Sequence, residues 1–116
     1  MNDPIPEKLG GESVVAAVAF MQAHAGRPLT VGEIAAAANV TSRELHQQFR
    51  DQIGVSPFRH LQQLRLDGVH TNLRQRTGGT VHEIVRQWGF VHYGRFSAAY
   101  TNKYGETPNT TLDRSP

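Results

Sequence analysis

The chain has 116 residues, with 12 Lys+Arg against 10 Asp+Glu and no cysteine. That length makes one compact domain or two very small ones, and the missing cysteines exclude disulfides and thiolate metal sites. The longest apolar run, Val14 to Met21, is far short of the ~20 residues that span a bilayer, and no charged leader with a cleavage site precedes it, so a soluble cytoplasmic protein is expected, with no membrane partner.

Residues 1–11 hold two prolines and two glycines without periodicity and read as a flexible lead-in or linker remnant. A first helix is predicted from about Glu12 to His24, with Val14, Val15, Val18 and Met21 on one face, and Gly26 and Pro28 mark its end. Three capping boxes follow: Thr30 with Glu33, Thr41 with Glu44, and Thr80 with Glu83. They place helix two at about Val31 to Ala38, a turn at Asn39-Val40, and helix three from about Ser42 to Ile53, closed by Gly54. Ser56-Pro57 opens a longer helix reaching about Arg74, expected to bury Phe58, Leu61, Leu64, Val69 and Leu73. Gly68 inside it weakens it by about 1 kcal/mol relative to alanine. After the loop Arg76-Thr77-Gly78-Gly79 come helices near Val81 to Trp88 and Tyr93 to Tyr104, then a short final turn at Thr107-Pro108 and a frayed tail.

The second half repeats the first. Thr30-Val31-Gly32-Glu33-Ile34 matches Thr80-Val81-His82-Glu83-Ile84 at an offset of 50. Leu45, Phe49, Gly54 and Pro57 match Phe96, Tyr100, Gly105 and Pro108 at an offset of 51, so one residue has been added in the second turn. The fold class is therefore all-α: two helix-turn-helix subdomains of homeodomain-like type, residues 12–56 and 76–112, joined by a connecting helix at 57–75, with a lead-in at 1–11 and a frayed tail at 113–116. Charge is unequal between the halves: residues 1–58 carry four basic side chains against six acids, residues 59–116 eight against four. A net charge of +2 is weak support for nucleic-acid binding by itself. The doubled motif carries that reading, as two recognition helices in one chain can engage one duplex without a dimer.

The stretches Leu29-Thr30-Val31 through Ile34-Ala35, Leu45 to Phe49, Gly54-Val55-Ser56-Pro57, Leu64-Arg65-Leu66, Ile84, Trp88-Gly89-Phe90 and Gly105-Glu106-Thr107-Pro108 closely resemble the DNA-binding domain of AraC/XylS-type bacterial transcription regulators. The resemblance runs from about Val14 to Leu112, and Gly94-Arg95-Phe96-Ser97 is most similar to the XylS-like branch. It implies binding to two adjacent major-groove segments of double-stranded promoter DNA, and activation through contact with RNA polymerase. It also implies that effector binding and any dimerisation lie in a separate N-terminal domain, which makes this chain a monomeric fragment of a longer regulator or a stand-alone short member. The linker-like opening residues favour the fragment.

At 100° per residue, Leu45, Phe49 and Ile53 share one face of helix three and Arg43, His46, Gln47 and Arg50 the opposite one. Any solvated helix shows such a face, but in a helix-turn-helix this is the reading face. Arginine pairs with guanine O6 and N7, glutamine with adenine N6 and N7, and histidine can donate to a purine N7 or a phosphate. The equivalent positions of the second unit, Gly94, Ser97, Ala98 and Thr101, are nearly bare. By the resemblance Arg95 reaches a base, with Ser97 beside it, while Ala98 stands where larger polar residues are often found. Thr30, Thr41, Ser42, Thr80, Tyr93, Thr101, Asn102 and Lys103 are candidate phosphate partners, Tyr93 being equally suited to packing. The connecting helix, about eighteen residues at 1.5 Å each, gives roughly 26 Å toward the ~34 Å of a DNA turn.

Six histidines invite a metal reading, but no i, i+4 pair or carboxylate cluster accompanies them. There is no phosphate-binding glycine loop, nucleophile elbow or paired catalytic carboxylates, so neither an enzyme nor a cofactor is expected. The rival reading is a helical protein-interaction module, or an antagonist of a related regulator, with only non-specific DNA binding. A small effector-binding domain is disfavoured by the lack of alternating, barrel-like sequence.

Overall fold

The computed structural model describes residues 5–115, with side chains described from residue 11 onward. Its elements are α1 (Ile5–His24), α2 (Val31–Ala37), α3 (Ser42–Gln52), α4 (Pro57–Gln75), α5 (Val81–Gln87), α6 (Tyr93–Tyr104) and α7 (Pro108–Arg114), with no strand among the described residues. None of these helices is long and apolar enough to cross a membrane. The chain divides into two compact units, Met1–Gln62 and Gln63–Pro116, and the boundary falls inside α4.

α1 opens at Ile5, so much of the segment expected to be a loose lead-in is helical, and residues 1–4 lie outside the described ones. Pro6 falls in the first turn, where its missing N–H costs nothing. Gly10 and Gly11 each weaken the helix by only about 1 kcal/mol. At the other end α7 continues to Arg114, so residues 113 and 114 belong to a capped helix rather than a frayed tail.

The first unit packs α1 against α2 and α3. Its core is Ala17, Met21, Ile34, Leu45, Phe49 and Leu61, all fully buried. On α1 the buried stripe is Val14, Ala17 and Met21, continued by Ala25 just past the helix end, and Val15 is 68% exposed. The spacing allowed either edge of the Val14-Val15 pair, and packing chose the edge in phase with Ala17. Two other expected core residues are also outside: Phe58 is 50% exposed and Ile53 is 38% exposed. Ile53 is the C-cap of α3, where the chain leaves the helical stripe, and Phe58 follows the buried Pro57, about 100° further round the helix.

The second unit is built on Leu66, Val69, Leu73, Val81, Ile84, Val85, Phe96 and Tyr100. Leu64, expected in the core, is half-buried; Val69 and Leu73 are buried as expected, and Arg65 and Leu66 turn inward in addition. Burial lowers the Arg65 pKa from its ordinary value. Gly68, which weakens the helix when α4 is considered by itself, has a structural use. The Trp88 ring lies where a Cβ would stand, at 2.4 Å from Cε2, and Trp88 Nε1 donates to Asn72 Oδ1 at 2.7 Å.

A polar chain threads the same unit. Tyr100 OH donates to Thr111 Oγ1 at 2.8 Å, and the Thr111 hydroxyl donates to Glu106 Oε2 at 2.5 Å. The phenol proton is thereby committed, so His70 Nδ1, 2.8 Å from the same phenol oxygen, is the donor there. His70 stacks on Tyr104 with ring centroids 4.0 Å apart, and Glu106 continues to Arg114 at 2.7 Å. The Thr111 hydroxyl and then Arg114 hold the Glu106 carboxyl below its ordinary pKa despite partial desolvation.

Candidate nucleic-acid interface

Each unit builds the same helix, turn and second helix from local rules. All three capping boxes form. Glu33 N–H donates to Thr30 Oγ1 at 3.0 Å while Thr30 N–H donates to Glu33 Oε1 at 2.9 Å. The corresponding distances are 3.1 and 2.9 Å for Thr41 with Glu44, and 3.2 and 2.8 Å for Thr80 with Glu83. The Thr30 N–H holds the Glu33 carboxylate below its ordinary pKa, with Arg27 assisting.

The first helix of each pair ends in one device that the sequence reading passed over. Asn39 (φ 62°) and Gly89 (φ 85°) both adopt the left-handed conformation. Val40 N–H then bonds Ala35 O at 3.0 Å and Phe90 N–H bonds Val85 O at 3.2 Å, while Asn39 and Gly89 N–H reach Ala36 O and Arg86 O, each at 3.0 Å. This is a Schellman closure in both units. Its signal was available, because Asn and Gly, the residues that tolerate positive φ, stand at the repeat offset of 50. The added residue lies beyond this closure, so residues 38–41 separate α2 from α3 and 88–92 separate α5 from α6.

In α3 the core face and the outward face separate cleanly. Leu45 and Phe49 are fully buried, and Arg43, His46, Gln47 and Arg50 are all exposed, as is Ser42 at the helix start. His46 Nδ1 lies 3.0 Å from Ser42 O, one turn back. The helix is closed by Gly54 at φ 94°, and Ser56 caps α4 by accepting from Arg59 N–H at 3.1 Å.

α6 has the same frame with less chemistry on it. Phe96 and Tyr100 are buried, Gly94, Arg95, Ala98 and Thr101 are exposed, and Ser97 is half-buried. Its N-cap, His92, makes no side-chain cap bond, unlike Thr41 on α3. Tyr93 is half-buried, stacked 4.4 Å from the His82 ring and 5.6 Å from Phe96. Thr101 and Asn102 are exposed. Lys103 is engaged within the unit: its Nζ lies 2.8 Å from Asp67, which also accepts from Tyr104 OH. Burial works against the Asp67 charge, but the bonds from Lys103 and Tyr104 hold its pKa below the ordinary value. The Thr30, Thr41 and Thr80 side chains are likewise engaged as caps. Among the described residues no group of His, Asp or Glu is placed to hold a metal ion.

The model of a family described as "Helix-turn-helix domain" matches residues 34–114. The "Probable thc operon regulatory protein" of Rhodococcus erythropolis is 34% identical over 102 residues, covering 86% of this chain and 31% of that protein. The "XylDLEGF operon transcriptional activator 2" of Pseudomonas putida is 28% identical over 97 residues, covering 82% of this chain and 62% of that one. The chain thus spans about a third to under two thirds of the length of these relatives. Among solved structures, a transcriptional regulator of Chromobacterium violaceum with an AraC-type DNA-binding domain superposes with a TM-score of 0.82 at 28% identity, covering 88% of this chain and 90% of that one.

Proposed function

Because the chain belongs to the AraC/XylS-type helix-turn-helix family, we propose that it is the DNA-reading part of a bacterial transcription regulator, with α3 as the dominant reader of the major groove. The observation that carries this is the division of α3: Leu45 and Phe49 anchor it in the core, and the four exposed side chains Arg43, His46, Gln47 and Arg50 form one continuous donor-rich and acceptor-bearing face. Bidentate partners for guanine and adenine are both present on it. A tight αL turn and a side-chain cap hold that helix in place, which is the preorganisation a reading helix needs.

In the second unit, Arg95 is the base reader, with Ser97 beside it. Gly94 and Ala98 bring the backbone of α6 close to the duplex with little readout of their own. Ser42, Thr101 and Asn102 serve as phosphate partners, and Tyr93 packs on His82 while presenting its edge at the start of α6. Thr30, Thr41 and Thr80 contribute by capping. Their own N–H groups are already bonded to glutamate, so a phosphate would be met by the amides after them. Lys103 would have to exchange Asp67 for a phosphate. The names of the Pseudomonas putida relatives support activation as the outcome; RNA polymerase is the partner that the family resemblance implies.

Selection of bound sequences from a random double-stranded library, at two salt concentrations, tests the reading. The expected product is an asymmetric site with two short boxes about one helical turn apart, the better-defined box belonging to α3. Salt-sensitive binding with no enriched sequence would remove base reading and leave a merely basic helical module.

A further inference from the structure

His46 is tied back to its own helix. Its Nδ1 lies 3.0 Å from the Ser42 carbonyl oxygen. A carbonyl oxygen only accepts, so Nδ1 carries the proton, and in the neutral imidazole Nε2 on the far side of the ring is then a bare lone-pair acceptor. This reverses the donor role that residue type alone suggested for His46.

From this geometry we infer that His46 reads an exocyclic amino group, cytosine N4 or adenine N6, by accepting a hydrogen bond at Nε2. Those two amino groups are the only base-edge donors in the major groove, whereas guanine and thymine set acceptors against the lone pair. The rest of the face makes an acceptor useful. Arg43 and Arg50 can only donate and Gln47 offers one donor group and one acceptor, so His46 lets α3 separate a C·G from a G·C pair beside an arginine. A carboxylate could also accept, but it would bring a negative charge against the phosphates, which the neutral ring avoids. The inference rests on the reading of α3 as a base-reading helix.

The test uses the full chain at pH 8, well above the range in which imidazoles ordinarily protonate. Binding sites are selected for the wild type and for His46→Ala. One base pair of the α3 box should be preferred over its reverse by roughly 3- to 10-fold, the weight of a single hydrogen bond, through the cytosine or adenine that it carries. The preference should vanish at that position alone in His46→Ala. Replacing that base by its analogue lacking the amino group, pyrimidin-2-one for cytosine or purine for adenine, should weaken wild-type binding by the same factor and leave His46→Ala unmoved.

A pair whose selection depends on His46 but whose wild-type binding is unmoved by loss of the amino group overturns the acceptor assignment and leaves base reading by α3 intact. A wild-type box unchanged by His46→Ala overturns any role for this residue in readout. Failure of the wild type to enrich any sequence overturns the functional reading itself, and the inference with it. Circular dichroism of His46→Ala separates these outcomes from misfolding, since an exposed histidine should leave the helical content unchanged.

Discussion

Gly68→Ala sets helix propensity against packing. In an isolated helix the change should stabilise by about 1 kcal/mol. In this protein the new Cβ would stand 2.4 Å from Trp88 Cε2 and 2.5 Å from Cδ2 and Cζ2, distances that real Cβ atoms do not show. The obstacle is the middle of a rigid indole whose Nε1 is bonded to Asn72 at 2.7 Å, so the ring cannot swing aside as a flexible chain end would. Overpacking of this kind costs about 1–3 kcal/mol, and straining or breaking the indole bond costs about 0.5–1.5 kcal/mol more. Subtracting the propensity gain leaves a net loss of about 0.5–3.5 kcal/mol. Urea denaturation followed by the fluorescence of Trp88, the chain's single tryptophan, reads this directly. Gly32→Ala is the control: its Cβ would meet only Thr30 Oγ1 at an ordinary 3.7 Å, so it should be neutral or gain up to about 1 kcal/mol. In a Trp88→Leu background, followed by circular dichroism because the only tryptophan is gone, the sign for Gly68→Ala should reverse. A Gly68→Ala protein at least as stable as the wild type would refute the packing argument.

The remaining predictions separate reading from folding and address pH. Arg43→Ala and Arg95→Ala should each cost about 1–3 kcal/mol of binding to the selected site and relax one base pair, read by titration against single-base variants; equal losses on every sequence would make them phosphate contacts. Leu45→Ala and Phe96→Ala should instead lose about 2–5 kcal/mol of folding stability, and a wild-type melting temperature in either would show the inner faces of α3 and α6 to be misassigned. Acidification should destabilise the second unit in two stages. Burial lowers the His70 pKa from the ordinary 6.5, with Arg74 and Lys103 adding to the effect against Glu106 and Asp67. The unfolded chain therefore binds that proton first, and stability falls as pH drops below 6.5. Asp67 and Glu106, also lowered from 3.8 and 4.5, add a further loss at lower pH, because the unfolded state takes up their protons before the folded state does. Denaturation midpoints at pH 7.5, 5.5 and 4 measure this, and His70→Asn, which keeps a donor for Tyr100, should flatten the first stage.

The caps and the repeat were legible because their physics is local. A threonine with a glutamate three residues on closes its own hydrogen bonds at Thr30, Thr41 and Thr80 whatever surrounds it. The outward face of α3 was legible for a related reason: a stripe of Leu45 and Phe49 leaves only one side for Arg43, His46, Gln47 and Arg50. Local signals failed where two edges of a stripe were equally apolar, as at Val14-Val15, or where a helix ended within the apparent stripe, as at Ile53.

From the residues alone follow the starts of α2 to α7, the doubled helix-turn-helix and the face each reading helix turns outward, because each is decided within a few residues along the chain. Tertiary structure alone decided that Gly68 makes room for Trp88, that Lys103 is held by Asp67, and that His70, Tyr100, Thr111 and Glu106 form one hydrogen-bonded line. Apart from Thr111 and Glu106, five residues apart, the partners are separated by 11 to 36 residues, and their meeting depends on side-chain shape and donor direction across packed helices, which no spacing rule encodes.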